Sequence, residues 1–192
     1  MMTKLAKFIR IVTVAPIAAI VLILSMTFVV PDAFDSILQI ILAITLLAIF
    51  PLLAYPIERQ FHLSKLSDDR EGGRHTAIVF SMVGYTFGAI FAFVFHLPEF
   101  QQILYLTYFF SGILILFANF VLGLRASGHM CGIAGPVSAM IYFGGWIYVW
   151  LFVLLIGVVW ASLYLKRHKV NELIFGMMIS ITSLIVAVLL IG

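Results

Sequence analysis

Seven apolar stretches, separated by short polar breaks, follow one another from Ile11 to Ile191 and leave this chain one solvent to fold in. A helix needs roughly 17–25 mostly apolar residues to cross a bilayer. Runs of that kind lie at about 11–30, 37–55, 76–96, 103–123, 146–165 and 173–191. The apolar stretch 130–165, read as one helix, would be roughly 50 Å long, against a bilayer core of about 30 Å. Gly144-Gly145 divides it and leaves a short fifth span at 130–143. The expectation is an all-α polytopic transmembrane bundle of seven spans, or six if the fifth is re-entrant, forming a single domain over 1–192.

Composition points the same way. Hydrophobic residues make up 64% and charged residues 10%, against roughly 25% charged in a soluble domain. Mean hydropathy is +1.21. A soluble enzyme and a nucleic-acid partner are both excluded on that balance; the expected partner is the lipid bilayer. The lone Cys131 excludes an internal disulfide and reads as a packing residue. The N-terminal Lys4, Lys7 and Arg10 before an apolar run have the look of a signal peptide. That run is longer than a usual signal core and no small-x-small site follows it, so it reads as a retained first span.

Charge placement gives the sidedness. With seven crossings, all eleven Lys and Arg residues, at 4, 7, 10, 59, 65, 70, 74, 125, 166, 167 and 169, fall on one face. The other face holds Asp32, Asp35 and Glu99. The positive-inside rule makes the basic face cytoplasmic, with the chain in the plasma (inner) membrane.

Three polar segments meet on that face: Lys65 to Arg74, Arg125 to His129, and Lys166 to Glu172. Arg and Lys neutralise phosphate oxygens. Ser127 and Gly128 offer a hydroxyl and backbone N–H groups at a helix start, where anions bind. His129 and His168 offer a nucleophile and a general acid. Glu172, four residues after His168, shares its helical face and can orient the imidazole. Taken singly, Arg59, Arg125, Lys166, Arg167 and Lys169 read as interfacial anchors, and the two histidines as headgroup-level polar residues. It is their combination that points to phosphate chemistry. His62, His75 and His96 read as interfacial or structural. Asp68-Asp69 reads as a solvated pair rather than a metal site, and Asn119 as a helix-to-helix hydrogen-bonding residue.

Arg125-Ala126-Ser127-Gly128-His129 resembles the Pro-Ser-Gly-His motif of the type 2 phosphatidic acid phosphatase superfamily, with Ala126 in the place of proline. Ser162 to Glu172 is similar to that family's third motif: His168 falls on its histidine and Glu172 on its aspartate. Lys65…Arg74-His75 resembles its first motif with two extra residues, and Arg70 is an alternative member. The likeness runs from about Lys65 to Gly176, within a phosphatase-like core at about 57–192; the first two spans lie outside it.

The resemblance implies a metal-independent, cofactor-free hydrolase that removes phosphate from a lipid or isoprenoid phosphate or diphosphate through a phosphohistidine. His168 would be the nucleophile, His129 the acid and Glu172 the orienting carboxylate. Lys65, Arg70, Arg74, Arg125, Ser127, Gly128 and Lys166 would hold phosphate. Ser162 stands where the motif has an arginine, so one phosphate ligand is missing; Lys166, Arg167 or Arg125 are the expected substitutes. The alternative function is a catalytically inactive phosphatase-like bundle that binds or moves an anionic lipid. A small transporter or assembly protein is a third reading, weakened by the scarcity of ionisable residues in the spans.

Overall fold

The computed structural model describes residues 1–61 and 69–192, apart from the side chains at positions 69–71 and 74. The described residues contain helices and no strand. In chain order they are α1 (Met2–Val12), α2 (Ala15–Val29), α3 (Ile37–Phe61), α4 (Asp69–Val94), α5 (Glu99–Val121), α6 (Gly128–Gly144), α7 (Trp146–Tyr164) and α8 (Val170–Ile191). Wide π turns occupy 45–49 within α3 and 117–121 at the end of α5, and α7 opens with a 3₁₀ segment at 146–151.

Five described stretches are long and apolar enough to cross a membrane: α3, α4 from His75 onward, α5, α7 and α8. The α1–α2 pair makes a sixth, bent by 54°. Large apolar side chains such as Phe28, Ile37, Phe87, Trp146, Ile147 and Leu189 point outward and are exposed. Water would not tolerate such a surface, and lipid does. The chain is an integral membrane protein.

The first span differs from its expected form. Residues 11–30 are not one helix, because the chain breaks at Thr13-Val14. Val14 is extended, and Pro16 sits at the start of α2 with no N–H to give to an upstream carbonyl. The helix before the break starts at Met2 and packs across α7.

The expected short fifth span is α6, which ends where Gly145 takes φ 88°. It is the central helix. Nine of its seventeen residues, from Met130 to Met140, are buried, and it packs against both α2 and α8. Small residues permit this closeness: a side chain at Gly132 would collide with Ala15 of α2. A second core, built from Leu22, Ile23, Met26, Leu47, Leu104 and Tyr105, ties α2, α3 and α5 together.

Candidate functional site

The turn between α7 and α8 presents His168. The Arg167 N–H reaches the Ser162 carbonyl at 2.9 Å and the Lys166 N–H reaches that of Leu163 at 2.9 Å. With Lys166 at φ 50°, this is the Schellman closure of a helix C-terminus. It reverses the chain so that Lys166 points away from the cavity, while Arg167, itself exposed, and the partly buried His168 line it. Glu172, in the first turn of α8, places Oε2 2.7 Å from Nδ1 of His168. Both side chains are largely shielded, at 15% and 13% exposure. The carboxylate therefore occupies Nδ1, and chemistry at this imidazole falls to Nε2.

The 125–129 segment is bonded to the same helix start. The Ser127 N–H donates to the Glu172 carbonyl at 2.9 Å. The Ser127 hydroxyl accepts the Met130 N–H at 3.2 Å and caps α6. A methyl at Gly176, one turn further along α8, would run into the Ser127 carbonyl. Glycine is what lets this loop rest on α8, and Glu172 is the joint. Its side chain holds one histidine, and its backbone holds the loop that carries the other.

The third contributor is the N-terminal pair. Thr13, at the α1–α2 break, gives its hydroxyl proton to the Ile9 carbonyl at 2.7 Å. Its oxygen lies 3.1 Å from Nε2 of His129. A hydroxyl whose proton is already donated can only accept, so Nε2 of His129 carries a proton. Arg10, one turn before Thr13, donates from a guanidinium nitrogen to the Ser162 hydroxyl at 2.7 Å. Ser162 is fully buried.

These segments enclose one cavity of about 530 Å³, within the roughly 300–1,000 Å³ usual for small-ligand sites. Its polar end is formed by Arg10, Arg125, Gly128, His129, Arg167 and His168. Leu47, Pro51, Ile78, Tyr85, Tyr108 and Ile115 line the remainder. His129, just ahead of the apolar run 130–143, is held well below the ordinary histidine value, at about 3. Burial is the largest cause, followed by the nearby Arg10 and His168. Burial and the neighbouring groups thus favour the neutral imidazole. A multiply charged anion in the cavity would reverse the balance and favour its protonation.

The structure brings together His129, His168, Arg125 and Gly128 at the cavity, with Glu172 behind His168. Two of the residues expected to bind phosphate, Ser127 and Lys166, do not line the cavity. Ser127 is fully buried, does not line the cavity and spends its hydroxyl on capping α6. Lys166 is exposed, because the left-handed position that closes α7 turns it away. Lys65 lies outside the described residues; Arg70 and Arg74 lie on α4, but their side chains are also outside. Sequence reasoning missed Arg10 and Thr13. The signal was the spacing of Lys4, Lys7 and Arg10, which read as a topology determinant alone. Neither a protein-family model, nor a curated protein, nor a solved structure matches this chain.

Proposed function

We propose that the chain is a membrane phosphatase acting on an amphiphilic phosphate, a lipid or isoprenoid (di)phosphate, through a phosphohistidine on His168. The observation that carries this reading is the convergence of two imidazoles and three arginines on one cavity whose other walls are mostly apolar, with the hydroxyls of Ser81, Thr107 and Ser111 among them. The motif likeness of 125–129 and 162–172 supports it independently. Arg125, Arg167 and the Gly128 backbone hold the phosphate oxygens, and the apolar walls take the hydrocarbon.

The reaction follows from the placement of the groups. Nε2 of His168 gives its lone pair to phosphorus as the bond from phosphorus to the leaving oxygen breaks. His129 passes a proton to that oxygen, and the dephosphorylated amphiphile leaves. His129, now neutral, takes a proton from water, whose oxygen attacks the phosphohistidine. The P–N bond breaks, inorganic phosphate departs and His168 is regenerated. Glu172 stabilises the positive charge that builds on His168, and the arginines offset charge on the equatorial oxygens. The basic end faces the cytoplasm in this reading, as the positive-inside rule requires.

The test is phosphate release from lipid and isoprenoid phosphates in mixed vesicles by the purified, folded protein. The wild type releases phosphate from at least one of them. His168→Ala and His129→Ala each lose at least about 10³-fold. Full activity in either variant would end the mechanism. Headgroup-dependent binding without release, at any protein loading, would favour the inactive lipid-binding alternative, for which the serine at position 162 is the specific observation.

A further inference from the structure

We propose that Arg10 of α1 is a phosphate-binding residue of this site, so that the N-terminal helix completes a cavity otherwise lined by α3, α4, α5, α6 and the α7–α8 turn. The inference rests on the phosphate reading above and adds a residue that no motif contains.

An arginine near a membrane surface is ordinarily a topology anchor, with its head among lipid phosphates. Arg10 is placed differently. It is half-buried, it lines the cavity beside both histidines, and its guanidinium is fixed by a 2.7 Å bond to a serine with no solvent exposure. Ser162 is neutral, so that bond orients the fork and brings no opposing charge of its own. Guanidinium presents five donors in a plane, and phosphate recognition favours that geometry.

The local fold explains how a residue so early in sequence arrives there. The break at Thr13-Val14 bends α1 by 54° from α2 and lays it over α7. The Ala15–Gly132 contact then draws the break against the first turns of α6. Thr13 reaches His129 and Arg10 reaches Ser162 from the same helical turn. A straight first span would carry Arg10 along the α2 axis and away from the cavity. The positive charge that position 162 lacks is delivered from α1.

A merely structural Arg10–Ser162 bond makes a different forecast from a phosphate ligand, and four variants separate them. They are Arg10→Ala, Arg10→Lys, Ser162→Ala, and Arg10→Ala combined with Ser162→Arg. Each is measured for inorganic phosphate and vanadate binding and for thermal unfolding, and for phosphate release where the wild type shows it. Arg10→Ala is expected to weaken anion binding by roughly 10- to 100-fold, the loss typical of a hydrogen bond to a charged group. Arg10→Lys falls between it and wild type. Ser162→Ala keeps most of the binding, because the guanidinium remains. The double variant recovers at least part of what Arg10→Ala loses.

Two results overturn the proposal. One is wild-type anion binding in Arg10→Ala. The other is equal losses in Arg10→Ala and Ser162→Ala, with matching falls in unfolding temperature and no recovery in the double variant. Anion binding is read without turnover. A wild type that binds phosphate through Arg10 but never releases it from lipids refutes the phosphatase reading and leaves this one standing.

Discussion

The two polar ends of the bundle handle their side chains in opposite ways. At the acidic end, Gln101 is fully buried and donates to the Ala33 carbonyl at 2.9 Å and to Gln39 Oε1 at 2.8 Å. Gln39 in turn accepts the Asp35 N–H at 2.7 Å and donates to its carboxylate at 3.1 Å. Apart from Gln101 Oε1, which is buried without a partner, these groups bond to one another and lock the α2–α3 turn onto α5. At the basic end, Arg10, Arg125, Arg167, His129 and His168 surround a cavity instead. The acidic end uses its polar groups to fasten the fold; at the basic end Arg10, His129 and His168 are each tied to a neighbouring side chain and also line a volume that a small anion can fill.

The contrast can be broken most severely at the joint of the basic end. Gly176→Val places a branched side chain against the Ser127 carbonyl and must lift the 125–129 loop from α8. Misplacement of about 1 Å costs around 10²-fold in rate. Loss of phosphate release on that scale is expected, with the helical content unchanged by circular dichroism. Unaltered release would show that the loop's seat on α8 does not set the site.

Gln101→Leu probes the other end. It removes donors that satisfy the Ala33 carbonyl and Gln39, and should lower stability in detergent by about 1–3 kcal/mol. Release per folded molecule should stay at the wild-type level. If activity fell while stability held, the acidic end would not be the fastening its hydrogen bonds suggest.

The basic end carries a pH slope of its own. His129 sits at about 3 when folded and near 6.5 when unfolded. Between those values the unfolded chain binds a proton that the folded chain refuses. Stability must therefore drop as pH falls through that window. His129→Asn should flatten this part of the unfolding-temperature profile, and saturating inorganic phosphate should flatten it in the wild type. A slope identical with and without His129 would remove its neutral state from the account.

The smallest effect is expected at Lys166. A left-handed residue that is not glycine costs roughly 1 kcal/mol. Lys166→Gly should raise the unfolding temperature slightly and leave phosphate release within about twofold. A tenfold loss would restore Lys166 as a phosphate ligand.

Much of this was legible in the chain itself. Apolar run lengths located the helices from Ile37 onward, and Gly144-Gly145 marked the α6–α7 boundary, because both depend on local composition and backbone freedom. The spacing of His168 and Glu172 pointed to their contact, but the geometry differs from a shared helical face: His168 lies in the turn before α8 and reaches Glu172 in the first turn of that helix. Arg10 and Thr13 were not legible as site residues. Their roles arise from a bend at Thr13-Val14 and a close approach at Gly132, and no spacing encodes which distant helix such a bend will meet. The placement of Ser127 is not legible for a related reason: a serine before a helix serves equally as a cap or as an anion ligand, and in the structure it is fully buried and caps α6. Lys166 looked like one more cation of a cluster until the turn geometry assigned it the left-handed position.

The central claim is that phosphorus passes through His168. The direct measurement is a rapid acid-free quench of the protein with ³²P-labelled single-chain isoprenoid or lipid phosphate, followed by peptide mapping of the label. The account predicts an acid-labile, alkali-stable phosphoryl group on His168 that accumulates when Glu172 and Arg10 are intact and is absent from His168→Ala. Rapid phosphate release with no label on His168, or with the label on His129, would contradict it.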